Sequence, residues 1–396
     1  MAGSQKIIQK PDAHSPKPGM PISARLRQFR RQSRSVVPPS KIHAKEISGA
    51  TREFFRKVLE HGNAPAPGER LAATNSPQDY FEGMQLAPLY KYYVETLLPI
   101  ECAMAQKGVF LQFDHIDKDV YYGDIFYETS ICGAPLVFVA NVHGMGAEDA
   151  FPRPLGRLNI GALYADPSPH GQKKIFVFPE VPGKLAPIYL EGAKHFPSRL
   201  APFVGAMDEA EAARVLERVH GSVAAKGSNP FFTFCCLLCQ LGTLEDKPGF
   251  LDKLIFDNTL HEVGHMILDI LSPKERPPDA LHELFAESFM QSVSGAPRVS
   301  FMEFLAHAQP LWQGSTDCHD IALGTFLEHF NGILGIEGVD WDKPIGAFAR
   351  YMCMSHKTIH ETSLGILKGI ASSLGLADMK NLREEALKQA KRAIFG

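Results

Sequence analysis

The pattern of apolar and polar positions divides the chain into a strand-rich middle and a helical second half. Between residues 108 and 178, β-branched and aromatic residues form short runs bounded by Gly, Pro, Asp or Asn, as is typical of β-strands. Because the connections between these runs are short, we expect a mostly antiparallel sheet. About five strands are predicted, at residues 108–113, 120–131, 134–142, 157–165 and 174–178.

From residue 207 onward the apolar positions follow helical spacing almost to the end of the chain. Two helical segments, 50–59 and 80–107, precede the strands. We therefore predict an α+β protein with a basic tail at 1–48, a mixed α/β region at 49–200 and a helical domain at 201–396. The helices of that domain are predicted at residues 208–225, 251–271, 279–294, 300–308, 321–330, 359–372 and 381–394.

The first 45 residues carry ten Lys or Arg and one acidic residue, Asp12. A segment with so few apolar residues cannot bury enough surface to fold, which predicts a disordered tail. Ile22, Leu26 and Phe29 nevertheless have helical spacing and lie among arginines, so an address signal is the alternative interpretation. The sequence leaves both interpretations open.

Composition excludes several function classes. The net charge of −3 gives no basis for a nucleic-acid partner, and no apolar run reaches the roughly 18 residues of a membrane span. The start of the chain lacks the apolar region of a secretory signal, so we expect a cytoplasmic protein or one exported without a Sec signal peptide. Cys235, Cys236 and Cys239 could bind a metal, but their apolar setting favours buried, reduced cysteines.

The clearest chemical pattern is the sequence His261-Glu262-Val263-Gly264-His265, inside the predicted helix 251–271. Residues four apart share a helix face, so both imidazoles can reach one ion. Zinc accepts nitrogen ligands in tetrahedral geometry and lowers the pKa of a bound water, from which Glu262 can take a proton. The apolar residues that follow favour a functional buried helix over a chance match on a surface helix.

A second pair of carboxylates lies on the next predicted helix. Glu283 and Glu287 are four residues apart and share a face, next to apolar side chains. Two such carboxylates repel each other unless a cation or a hydrogen-bond donor lies between them. One glutamate on zinc and the other on a ligand histidine would satisfy this requirement, and a solvated acidic stripe is the alternative.

These two segments together resemble the gluzincin metallopeptidases, the zincins with a glutamate as third zinc ligand. The sequence ELFAESF at 283–289 is similar to the glutamate helix of the anthrax lethal factor catalytic domain and of the Pro-Pro endopeptidases. The resemblance covers about 30 residues, 260–289. It implies a zincin-like fold for the helical domain, Zn²⁺ bound by His261, His265 and Glu283, Glu262 as general base, and Glu287 as a residue that supports the ligands.

The chain departs from this pattern in one respect. Lethal factor-like enzymes have a tyrosine shortly before the third ligand, which stabilises the oxyanion, and residues 273–281 contain none. Tyr351, His356 and His360 are the candidates for this role, and ordinary surface histidines are the alternative for the latter two. Peptidases of this class also hold an extended substrate against an edge strand, for which residues 174–178 are the candidate.

The sequence therefore predicts a zinc metalloendopeptidase, in which Glu262 activates zinc-bound water for attack on a peptide or protein substrate. The basic tail and the toxin-like glutamate helix suggest, by analogy, a bacterial effector or toxin. The alternative is a zincin-fold binding or scaffold protein without turnover, and a non-peptide hydrolase is a third interpretation. No pattern in the chain indicates the substrate or the oligomeric state.

Overall fold

The computed structural model describes eleven segments of the chain and a few isolated positions such as Tyr351. The described residues do not include the predicted helix 50–59 or the cysteine cluster at 235–239, and they include only positions 210 and 214 of the predicted helix 208–225. The segments are 19–33, 97–113, 120–145, 153–154, 161–165, 173–184, 249–272, 277–305, 317–337, 353–376 and 379–396.

A mixed sheet occupies the first half of the described chain. Its strands are β1 (Val109–Phe113), β2 (Val120–Ile131), β3 (Ala134–Met145), β4 (Arg153–Pro154), β5 (Ala162–Ala165) and β6 (Lys174–Val177). The order is β1-β2-β3-β6-β5, with β4 paired to β3. All pairs are antiparallel except β3–β6, which is parallel. The predicted α+β class and the mostly antiparallel sheet are confirmed.

The edge of the sheet differs from the prediction. Residues 174–178 were expected at an edge, but β6 lies between β3 and β5, so that expectation is wrong. In the described part of the sheet, β5 forms the edge on this side and β1 the edge on the other. The parallel pairing of β3 with β6 joins strands far apart in the chain, and the local pattern of apolar residues carries no information about it.

The helices come before and after the sheet, and six of them follow it. The described helices are α1 (Ile22–Ser33), α2 (Leu98–Gln106), α3 (Phe250–Leu271), α4 (Asp279–Gln291), α5 (Pro297–Leu305), α6 (Cys318–Leu334), α7 (His356–Ser373) and α8 (Met379–Phe395). Each of the six later helices overlaps a helix that the sequence predicts. No described helix is long and apolar enough to cross a membrane.

The two faces of the sheet bury different side chains, because successive residues of a strand point to opposite sides. Leu136 and Phe138 of β3 belong to the main core, together with buried residues of the helical half. Val137 and Val139, which alternate with them, form a smaller cluster with Phe176 on the other face. Helix α3 packs between the sheet and the other helices, since it contacts β5, β6, α4 and α8.

Helix α1 is part of this packed structure. Ile22 and Leu26 are buried, the backbone N of Ser23 donates to Asp252 Oδ1 (2.9 Å), and the Ser23 hydroxyl donates to Asp252 Oδ2 (2.8 Å). The Arg25 guanidinium lies 4.2 Å from the ring centroid of Tyr127. The prediction of a disordered tail over 1–48 is therefore wrong for these twelve residues. The local composition is too polar to fold alone, and the buried contacts come from α3 and β2.

Candidate metal centre

The His261 and His265 side chains project from one face of α3 and meet at their Nε2 atoms. The two nitrogens are 3.2 Å apart, and the rings are nearly perpendicular, at 83°. Both side chains are largely buried, and apolar residues of the same helix, such as Val263 and Ile267, are fully covered by the core. The helix period and this burial together fix the spacing of the two imidazoles.

Helix α4 crosses α3 at very short distance and carries Glu283 to the histidines. At Gly264, between the two histidines, a Cβ atom would lie 2.6 Å from the Ala286 Cα. Only glycine permits so close an approach of two helix backbones. The glycine in the middle of the motif therefore sets how near the glutamate helix comes to the imidazoles.

Three imidazole nitrogens surround one carboxylate oxygen, Glu283 Oε2. It lies 3.2 Å from His261 Nε2, 3.5 Å from His265 Nε2 and 3.4 Å from His319 Nε2. This oxygen is buried. Donor atoms bound to one tetrahedral zinc at 2.0–2.1 Å lie about 3.3 Å apart. His261, His265 and Glu283 thus have the donor types and the spacing to hold one metal ion.

The charges of this group follow from its contacts. Burial opposes a positive charge on His261, but its hydrogen bonds with Glu283 and Glu287 outweigh burial and raise its pKa well above the ordinary value. Burial likewise opposes a negative charge on Glu283, yet its hydrogen bonds with His261 and His265 lower its pKa well below the usual range. Without an ion, a proton on His261 supplies the positive charge between these donors, and a metal ion would replace it.

Glu287, one turn after Glu283, contacts the far nitrogen of His261. Its Oε2 lies 3.4 Å from His261 Nδ1, and its Oε1 accepts a hydrogen bond from Gln291 Nε2 at 2.9 Å. The Glu287 carboxylate is buried and held from both sides. It can therefore accept a hydrogen bond from His261 Nδ1 and keep Nε2 directed at Glu283.

The far nitrogen of His265 begins a chain of three further side chains that the sequence did not indicate. His265 Nδ1 lies 3.0 Å from His282 Nδ1, and His282 Nε2 lies 3.3 Å from Asp269 Oδ1. Asp269 also pairs with Lys173. Burial would raise the Asp269 pKa, but its hydrogen bonds with His282 and Lys173 lower it well below the ordinary value. The position of Asp269, four residues after His265, was the available sequence signal.

Glu262 lies next to the edge strand of the sheet. Its Oε2 accepts a hydrogen bond of 2.8 Å from the backbone N of Tyr164 in β5. The Lys173 ammonium lies 5.2 Å from the centroid of the Tyr164 ring. The Glu262 carboxylate, next to His261 in the sequence, is thus anchored to β5 and keeps one oxygen for other contacts.

The start of α6 contributes His319 and Cys318, which sequence reasoning missed. Asp317 caps this helix, since its Oδ1 accepts from the His319 backbone N at 2.9 Å. The contact with Cys318 raises the pKa of His319, and burial lowers it. The negative charge of Glu283 raises it as well, so that the pKa of His319 is about 9. No local pattern marks these two residues, because they reach Glu283 only through the packing of α6 on α4.

Tyr351, His356 and His360 have other surroundings. Tyr351 is fully buried, and its hydroxyl donates to Asn331 Oδ1 at 2.7 Å. His356 is the first residue of α7, and burial lowers the pKa of His360 one turn later. Within the described residues, the donor groups that could hold a metal contain none of the three.

Comparisons of the chain with protein-family models, with curated proteins and with solved structures found no match. The resemblance to gluzincins therefore depends on the residues of 260–289 alone.

Proposed function

We propose that the protein is a zinc-dependent hydrolase that cleaves peptide bonds. The observation that carries this proposal is the meeting of His261 Nε2, His265 Nε2 and the buried Glu283 Oε2, with Glu262 beside them. Two imidazoles and one carboxylate are a zinc donor set that leaves a position open, whereas calcium and magnesium prefer oxygen ligands only. When bound, zinc would lower the pKa of a water molecule and polarise a substrate carbonyl.

The residues of the chain would hold and move the protons. Glu287 accepts the Nδ1 proton of His261, and His282 accepts that of His265, so both Nε2 atoms present their electron pairs to the ion. Glu262 takes the proton of the attacking water and passes it to the leaving amine. The hydrogen bond from Tyr164 fixes one Glu262 oxygen and leaves the other for this transfer.

The edge strand supports a peptide as substrate. β5 ends the sheet among the described strands, and Tyr164 in it touches Glu262. An extended peptide that pairs with β5 would have its backbone beside the general base and the metal position. By analogy with the glutamate helix of lethal factor, the proposed role of the protein is that of a bacterial effector or toxin.

Metal analysis tests the site. The wild-type protein and the His265→Ala variant would be loaded with zinc, freed of excess metal and analysed for zinc per chain. We expect His265→Ala to lose one equivalent, and His329→Ala, which removes an exposed histidine of α6, to lose none. Equal zinc contents in the wild type and His265→Ala would disprove the site.

Cleavage tests the reaction. The wild type and Glu262→Gln would be incubated with a mixture of denatured proteins, and new peptide termini would be identified by mass spectrometry. We expect termini in the wild type that disappear in Glu262→Gln, while the zinc content of the variant stays unchanged. Zinc binding without any wild-type cleavage would favour the alternative, a zincin-like binding or scaffold protein.

A further inference from the structure

Two residues at the start of α6, Cys318 and His319, lie near Glu283. His319 Nε2 lies 3.4 Å from Glu283 Oε2, and Cys318 Sγ lies 3.5 Å from His319 Nδ1. One donor atom each of Glu283, Cys318 and His319 lies within 4.8 Å of the others. This group shares Glu283, and no other residue, with the group formed by His261 and His265.

The two ring nitrogens of His319 face two different carboxylates. Asp317 Oδ1 lies 2.9 Å from His319 Nδ1 and also accepts from its backbone N, so the Nδ1 proton is directed at this carboxylate. The other ring nitrogen, Nε2, faces the buried Glu283 Oε2 at 3.4 Å. Imidazole and carboxylate are both zinc donors, and this spacing is close to the separation of about 3.3 Å between two donors of one tetrahedral zinc ion.

We propose that Glu283, Cys318 and His319 bind a second zinc ion, with Glu283 shared between the two ions. A thiolate, an imidazole and a carboxylate are all ligands of zinc, and the sulfur selects zinc over calcium or magnesium. Two metal ions about 3.5–4 Å apart, joined by a common ligand, are a known arrangement in hydrolases. Helices α4 and α6 pack against each other, and the second ion would link the start of α6 to α4.

This inference depends on the proposed function only through the placement of Glu283. The two sites have different outer ligands, so they can be tested separately. His265→Ala removes a ligand of the first ion alone, whereas Cys318→Ser and His319→Ala each remove a ligand of the second ion alone. The thiolate gives the second site a spectroscopic signature, because cobalt(II) bound to sulfur absorbs in the near ultraviolet and cobalt bound to nitrogen and oxygen does not.

The experiment replaces zinc by cobalt in the full chain and measures both cobalt per chain and the sulfur-to-cobalt absorption. We expect two ions and the absorption in the wild type, and one ion without the absorption in Cys318→Ser. His319→Ala should also lose one ion, and His265→Ala should lose one ion but keep the absorption. Cys102→Ser and His329→Ala, at exposed positions, should behave as the wild type.

Three results would overturn the proposal: a single cobalt in the wild type, an absorption that persists in Cys318→Ser, or two ions in both Cys318→Ser and His319→Ala. A single ion whose absorption disappears in Cys318→Ser is one of these cases, since Cys318 would then belong to the first site. If His265→Ala keeps both ions while Cys318→Ser loses one, the second site stands and the proposed catalytic site fails. Circular dichroism of each variant verifies that it folds.

Discussion

Gly264→Ala tests whether the close crossing of α3 and α4 sets the geometry of the metal centre. The new Cβ would lie 2.6 Å from Ala286 Cα and 3.2 Å from Ala286 Cβ. Non-bonded carbons prefer separations of about 3.5–4.0 Å, so the helices would have to move apart by roughly 1 Å. Glu283, one turn before Ala286, would move with α4.

Such a displacement is large for a metal site, where ligand distances are held to within about 0.2 Å. The Glu283 oxygen already lies 3.2 Å and 3.5 Å from the two histidine nitrogens, so a shift of α4 would carry it out of range of a shared ion. Overpacking costs about 1–3 kcal/mol, and replacing a helical glycine by alanine returns up to about 1 kcal/mol. Zinc affinity is therefore the more sensitive quantity, and we expect it to fall at least tenfold.

The assay is competition for zinc between the protein and a chromophoric chelator, with thermal unfolding of the zinc-free proteins measured alongside. Gly365→Ala is the matched control, because a Cβ at this helical glycine meets no atom within 4 Å. A second variant, Gly264→Ala with Ala286→Gly, should not recover affinity, since the nearest atom is the Ala286 backbone. Wild-type zinc affinity in Gly264→Ala would refute the reasoning.

Three further predictions concern protons and hydrogen bonds. Because the pKa of His261 is raised well above its ordinary value, zinc must displace a proton from it. The affinity of the protein for zinc should therefore weaken about tenfold per pH unit as the pH falls from 8 to 6. A flat pH profile in the chelator competition would contradict this. His282→Leu removes the acceptor for His265 Nδ1 and should lower zinc affinity about 10- to 100-fold. His282→Gln keeps an acceptor and should lower zinc affinity less. Equal zinc affinities in the two variants would argue against the hydrogen-bond chain. Burial raises the pKa of Asp257 from 3.8 to about 6 despite its hydrogen bonds. Between these pH values the folded state therefore binds more protons than the unfolded state. The free energy of unfolding should decrease by about 3 kcal/mol as the pH rises from 4 to 6 and then level off. Urea unfolding of the wild type and Asp257→Asn measures this difference, and parallel pH profiles would speak against it.

The sequence determined the parts of the protein that depend on neighbours along the chain. The spacing of His261 and His265 places both on one face of α3 whatever packs around it, because four residues make about one helical turn. The same period aligns Glu283 with Glu287 on α4, and the alternation of apolar residues located β2 and β3. These local rules sufficed to predict the helices α3 and α4.

The tertiary structure decided which distant residues meet. The pairing of β6 with both β3 and β5 places β5 at one edge of the sheet, and the packing of α6 on α4 brings His319 to Glu283. The buried contacts of α1 with Asp252 overrode a local composition that favours disorder. Each of these outcomes depends on the fit between two surfaces, for which spacing within one segment of sequence has no signature.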